Sequence, residues 1–206
     1  FGLFGGADGE YILELGRTLK KPLTVTFHTV LLTPTEHQKY IIQELGRLAR
    51  NVIVMDEVAK NRLEQVYGLN PNDSVFIMHG APIVTMRKDN AKKVARLSHS
   101  FVLLANNLLS RNKGIEYAIE AVAQAVLKIP NLVFLIVGET HPLVKKTEGE
   151  SYREELMEQV IKLQLEKHVI FINKYIPLEQ LQIYLAAADV YITPYLDPQQ
   201  ITSGTL

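Results

Sequence analysis

Arg111 and Lys113 stand two residues apart, immediately ahead of Gly114 and of an apolar-periodic stretch that opens at Ile115. A helix N-terminus presents unpaired N–H groups and the positive end of its dipole. Two flanking cations, with a glycine that admits close backbone approach, turn such an end into an anion site, phosphate above all. A solvated turn whose basic residues only raise solubility has the same composition. The second oxyanion candidate is Thr202-Ser203-Gly204-Thr205, whose small residues let a backbone curl around phosphate oxygens, although ordinary turns use the same residue types. His28 closes a β-rich run between Thr26 and Thr29, where either an active-site imidazole or a packed core histidine would fit. The pairs His28 with His37 and His141 with His168 lack the tight spacing of a zinc-binding helix, so no metal site is expected. Glu148, Glu150, Glu154 and Glu155 read as a solvated helix start favoured by the dipole. No Gly-x-Ser-x-Gly, no Walker loop and no Gly-x-Gly-x-x-Gly after a strand is present.

Short apolar runs alternate with amphipathic stretches along most of the chain, and these must position the candidates. Strands are expected at 23–27, 52–55, 75–78, 101–105, 132–137, 169–172 and 190–193. Between them, Ile12, Leu15 and Leu19 share a helical face that Pro22 ends. Thr33-Pro34 reads as a capped helix start running to about Arg50, and Asp56 caps a helix that Gly68 terminates. Ile115, Ala118, Ile119, Val122 and Val126 line a helix closed by Pro130. Ser151 with Glu154 makes a capping box for a helix to about Glu166, and Pro177 starts a helix carrying Leu178, Leu181 and Leu185. Continuous apolar strands separated by helices predict parallel sheets in a doubly wound α/β architecture with two lobes. The pattern weakens between Ile83 and His99, which places an interlobe linker at 83–98, with lobes at 1–82 and 99–206. In open parallel sheets ligands bind beyond the carboxyl ends of the strands. The candidate loops are therefore those after each run, including Asn106 to Gly114, Gly138 to His141 and Asn173-Lys174-Tyr175.

Composition narrows the function classes. The chain has 206 residues, 22 basic and 22 acidic, so it lacks the broad positive field that non-specific nucleic-acid binding uses. Without cysteine there is no disulfide framework, thiol nucleophile, zinc-thiolate site or iron-sulfur cluster. No apolar run approaches the roughly 20 residues of a membrane-spanning helix. A cytoplasmic location is expected, with peripheral membrane contact through segments outside this chain left open. The chain begins at Phe1 and closes just after a sequence that looks like a helix start, so both lobes are read as incomplete.

In order, several segments resemble the retaining glycosyltransferases of the GT-B group called family 4 or group 1. They are Thr26-Phe27-His28-Thr29, Val75 to Pro82, Leu109-Ser110-Arg111-Asn112-Lys113-Gly114-Ile115-Glu116, Leu135-Ile136-Val137-Gly138 and Ala187 to Pro194. The resemblance implies two Rossmann-like, doubly wound lobes. It also implies transfer of a hexose from a nucleotide diphosphate sugar to a carbohydrate or other hydroxyl acceptor, with retention of configuration and without a metal or other cofactor. Lys113 matches the family lysine that neutralises the diphosphate. The family arginine falls on Leu108, leaving Arg111 as a shifted substitute or the position vacant. Gly114 and Gly138 would admit the donor, Lys174 and Tyr175 would border the base, and Gln200, Thr202, Ser203 and Gly204 would wrap the phosphates. His28 matches a histidine facing the transferred sugar. A GT-B sugar-nucleotide epimerase and a non-catalytic two-lobed sugar-binding protein are the alternatives.

Overall fold

The computed structural model describes residues 4–197, and Gln200, Thr202, Ser203 and Gly204 lie outside them. The described chain divides into two compact units, 4–81 and 82–197.

The first unit contains α1 (Tyr11–Thr18), β1 (Thr24–Phe27), α2 (Glu36–Leu48), β2 (Asn51–Val54), α3 (Glu57–Gln65) and β3 (Ser74–Phe76). The three strands are parallel in the order β1-β2-β3. Val25, Phe27, Val52 and Val54 pack with Leu13 of α1, Ile41, Ile42 and Leu45 of α2, and Leu63 of α3 in one apolar cluster. Strand side chains alternate between faces, so a single cluster holding all three helices means that they cover one face of this sheet. The start of α2 is not the expected one. Thr35, rather than Thr33, caps the helix: its hydroxyl accepts the Gln38 N–H at 3.1 Å, and the Gln38 side chain accepts the Thr35 N–H at 3.0 Å. This reciprocal pair satisfies two backbone donors at once.

The second unit contains α4 (Lys88–Val94), β4 (Phe101–Asn106), α5 (Ile115–Ala125), β5 (Leu132–Val137), α6 (Pro142–Glu148), α7 (Ser151–Lys162), β6 (Val169–Ile172), α8 (Leu178–Ala187) and β7 (Val190–Tyr191). Its parallel sheet has the order β6-β5-β4-β7. Phe134 and Ile136 of β5 join Ile115, Ile119, Val122, Leu156 and Val160 on the α5/α7 face. Leu135 and Val137 join Val102, Leu104 and the partly buried Tyr184 and Leu185 on the α8 face. Both faces are covered, which is why β4 and β5 read as unbroken apolar runs.

The segment 83–98, expected as a linker, carries α4, whose Ala91 packs with Ala186 and Ala187 of α8. A seven-residue helix that seals itself with small alanines leaves no strong apolar period to read. Asp189 ties it to the sheet, accepting from Lys92 at 2.5 Å, Lys88 at 3.1 Å and the Val102 N–H at 2.8 Å. Burial raises the Asp189 pKa, but these hydrogen bonds outweigh it and hold the carboxyl below its usual range. The Ser151/Glu154 capping box does not form. α6, which the sequence pattern did not predict, runs through Gly149 (φ 67°) almost directly into α7, whose N-cap is Glu150 without a side-chain capping bond.

Candidate functional site

Chain order decides where a crevice opens. From β4 the chain crosses through α5 to β5 and through α6 and α7 to β6, then returns through α8 to lay β7 against the other edge of β4. β4 is thus the strand at which the winding reverses, and the loops beyond its carboxyl end and those of its neighbours form the expected ligand position.

The loop after β4 is zipped to the loop after β5. The Asn107 N–H donates to Val137 O at 3.0 Å, Leu109 N–H to Glu139 O at 2.8 Å and His141 N–H to Leu109 O at 2.9 Å. Gly138 (φ 134°) lies so close to this neighbour that a Cβ there would sit 2.0 Å from Asn107 O. The close approach between the two loops therefore requires glycine. Its own carbonyl accepts from Arg153 Nη2 at 3.0 Å.

Residues Arg111–Lys113 form a single 3-10 turn, and Gly114 (φ 63°) both ends it and caps α5 without a side-chain hydrogen bond. Gly114 offers the first N–H groups of this 11-residue helix no side chain of its own, and the Tyr152 hydroxyl accepts from the Ile115 and Glu116 N–H groups instead. A Cβ on Gly114 would meet Pro194 O at 2.0 Å, and Leu196 N–H donates to Asn112 O at 3.0 Å, so the segment after β7 is seated on this turn. Lys113 Nζ stands 3.9 Å from the Tyr195 ring centroid.

Arg111 is engaged elsewhere. Its two terminal nitrogens donate to the Glu155 carboxylate at 2.7 Å each, Nε reaches Glu148 at 3.4 Å, and Cζ lies 5.1 Å from the Tyr152 ring centroid. The Glu155 hydrogen bonds raise its pKa, and the same pairing lowers that of Glu155. Three of the four glutamates expected as a solvated helix start bind basic side chains: Glu148 and Glu155 hold Arg111, and Glu150 accepts from Thr140 Oγ1, from Arg153 Nε at 3.2 Å and pairs with Lys145 at 3.2 Å. Thr140, Lys145 and Arg153 hold its carboxyl below the usual range.

Lys174 and Tyr175 follow β6 and are exposed, Tyr175 at 79%. The Tyr175 N–H donates to Glu139 Oε1 at 2.9 Å, fixing that turn to the Gly138 loop. Leu108, where the family arginine would fall, is exposed. In the first unit His28 is exposed at the end of β1, which removes the packed-core alternative. It borders a mostly apolar cavity of about 390 Å3 together with Thr29, Phe27, Ile12 and Leu45. Lys113, Gly114, Gly138, Lys174 and Tyr175 thus all lie on carboxyl-end loops of one sheet. Tyr195, Glu139 and Arg153 complete the arrangement; the first two lie on loops that follow expected strands, whereas Arg153 was not anticipated. Arg153 did leave a signal, for it falls in phase with Leu156 and Val160 and so places a charge on the buried stripe of α7. Among the described residues no group of three or more His, Asp and Glu side chains could hold a metal ion, and no helix is long and apolar enough to cross a membrane.

Solved structures of similar fold include Anabaena Alr3699/HepE in complex with UDP, with a TM-score of 0.68 at 21% identity over 87% of this chain and 48% of that one. The same protein has been solved with UDP-glucose. Sucrose-phosphate synthase from Thermosynechococcus elongatus has a TM-score of 0.68 at 20% identity, covering 88% of this chain and 46% of its own. A glycosyltransferase from Rickettsia africae ESF-5 has a TM-score of 0.70 at 16% identity, covering 94% and 50%. The chain spans about half the length of these proteins. Among curated protein sequences none matches it. The family profile of the glycosyl transferases group 1 matches residues 86–198, more than half of the chain, and the protein belongs to that family.

Proposed function

We propose that this chain is part of a glycosyltransferase that moves a hexose from a nucleotide diphosphate sugar to a hydroxyl acceptor with retention of configuration and without a metal. The observation that carries the reading is the Lys113-Gly114 turn: a cation at the N-terminal end of α5, beside the strand where the winding reverses. Departure of a nucleoside diphosphate develops negative charge on its β-phosphate. Preorganised N–H dipoles and a fixed ammonium aimed at that charge stabilise the transition state more than the ground state. The Tyr195 ring holds the Lys113 ammonium without neutralising it, so the charge stays available to a phosphate.

Gly114 and Gly138 are placed beside the donor by family resemblance; the space a Cβ would take at each is filled by Pro194 O and Asn107 O, so their part is to let the surrounding loops close up. Lys174 and Tyr175 would border its base, Tyr175 offering an exposed ring for stacking. The residues Gln200, Thr202, Ser203 and Gly204 are assigned to the phosphates by family resemblance alone, as is the role of His28 toward the transferred sugar. Arg111, already paired with two carboxylates, is assigned to hold the turn rather than to meet the diphosphate directly. The UDP and UDP-glucose complexes of a protein of like fold support a nucleotide donor.

Calorimetric titration with UDP, GDP and ADP tests the reading. At least one should bind, and Lys113→Ala should weaken it by about 1.5 to 3 kcal/mol, the range for a hydrogen bond to a charged group. Unaltered affinity in a folded Lys113→Ala chain would remove Lys113 from the site, and binding of free hexose with no nucleotide binding would favour a sugar-binding protein.

A further inference from the structure

Arg153 is 4% exposed, and burying a guanidinium is costly unless its donors are used. A methionine or leucine would fill the same stripe of α7 at less expense. What the arginine adds is a planar fork with several donors. Nη2 donates to Gly138 O at 3.0 Å and Nε to Glu150 at 3.2 Å, while the other Glu150 contacts go to Thr140 Oγ1 and Lys145. The fork therefore holds the 138–140 loop at two points, directly at its first carbonyl and through Glu150 at its last hydroxyl. Arg153 Nη1 is also buried and has no protein partner, as is Asn107 Oδ1 on the loop that packs against Gly138.

The held loop is a junction. Glu139 O accepts from Leu109, Leu109 O accepts from His141, Gly138 N–H donates to Ile172 O, and the Glu139 carboxylate fixes the Tyr175 N–H. Displacing it would disturb the loops after β4 and β6 together, and these carry Lys113 and Tyr175. The neighbouring residues of α7 hold the other side, with Glu155 and the Tyr152 ring on Arg111.

We propose that Arg153 is a positioning residue, which through Gly138 O and the Glu150–Thr140 pair sets the register of the strand-end loops that receive the nucleotide. The inference rests on the function proposed above. It is tested in the 206-residue chain with Arg153→Met, Arg153→Lys and Glu150→Gln, using residue-resolved amide exchange and calorimetry with whichever of UDP, GDP and ADP binds the unsubstituted chain best.

In folded Arg153→Met the Leu109, Gly138 and His141 amides should exchange at least tenfold faster while those within β5 stay protected, and nucleotide affinity should fall at least tenfold. Arg153→Lys should restore part of both, because one ammonium can serve only part of the fork's geometry. Glu150→Gln should shift both in the same direction by less, and it decides the matter if Arg153→Met does not fold. Unchanged protection of the three amides, or loosened amides with unchanged affinity, would overturn the proposal. If the unsubstituted chain binds none of the three nucleotides, the proposed function fails, and the exchange data alone decide whether Arg153 orders the loop.

Discussion

The two units use the same β-α-β unit and differ in how often they change direction. In the first, β1, β2 and β3 follow one another across the sheet, and α1, α2 and α3 join one apolar cluster on one face. In the second, the chain lays down β4, β5 and β6 and then returns to place β7 beyond β4, so that α8 covers the face opposite α5 and α7. The consequence for packing is that β5 has buried side chains on both faces, whereas Thr26 and Val75 on the second face of the first sheet are exposed and Ile53 is half-buried. The consequence for function is a reversal point at β4, where neighbouring loops splay to opposite sides and leave room for a ligand. Among the described residues only the second unit has such a point, and the anion-site features collect there.

The largest expected effect tests the packing side of this contrast. Phe134, fully buried on β5, should cost about 3–5 kcal/mol when replaced by Ala. Ile53→Ala, on the sparsely covered face of β2, should cost about 1 kcal/mol, as ordinary substitutions do. Denaturant unfolding of the two variants measures the difference, and equal losses would mean that both sheets are in effect covered alike.

A pair of glycines sharpens the functional side. Gly68 and Gly114 have nearly the same φ, 65° and 63°, but a Cβ on Gly68 meets nothing within 4 Å while one on Gly114 meets Pro194 O at 2.0 Å. Gly68→Ala should therefore cost only the left-handed backbone penalty of about 1–2 kcal/mol. Gly114→Ala should cost more and should also unseat the segment carrying Tyr195, weakening nucleotide binding. Thermal unfolding and calorimetry on both variants read the two effects, and equal stability losses with equal affinities would show that the 194–197 segment does not depend on the turn.

The smallest effect is confined to the first unit. His37 Nδ1 lies 3.1 Å from Asp8 and Nε2 3.0 Å from Glu10, joining α2 to the segment before α1. The Asp8 hydrogen bond, supported by Glu10, raises the imidazole pKa from its ordinary 6.5, and the His37 hydrogen bond lowers that of Asp8 from 3.8. The histidine contribution is complete below pH 6.5 and is lost as pH rises through the higher folded value. The aspartate contribution is complete above pH 3.8 and is lost as pH falls through the lower folded value. The contact should be strongest between these limits. His37→Asn should flatten a shallow stability maximum there, and an NMR titration of His37 with a midpoint at or below 6.5 would contradict the pairing.

Much of this architecture was legible because strand burial writes itself into short stretches. Runs such as Leu132 to Val137 can serve as buried strands whatever lies around them, and all seven expected strands are present, β3 and β7 in shortened form. The Lys113-Gly114 turn was legible for a related reason, since a cation and a left-handed glycine next to a helix start are properties of consecutive residues. α4 and α6 were not legible: the first is held by small alanines and an Asp189 bridge from 97 or more residues away, and the second has no buried residue of its own.

Local pattern by itself determined the seven strands and the helices α1, α2, α3, α5, α7 and α8 to within a few residues, that the strands are parallel and that the chain makes two α/β lobes, because burial period, proline and glycine act over a few positions. Only the tertiary structure decided the partners of the charged groups. Arg111 and Lys113 are near neighbours of like charge in sequence, yet one is bound to Glu155 and the other stands over Tyr195. Arg153 and Glu155 are equally close on one helix, yet one reaches the Gly138 loop and the other the Arg111 turn. Ion pairs depend on distances of a few ångströms, here between groups 44 residues apart in Arg111 and Glu155, and those distances are set by how strands stack, not by spacing along the chain.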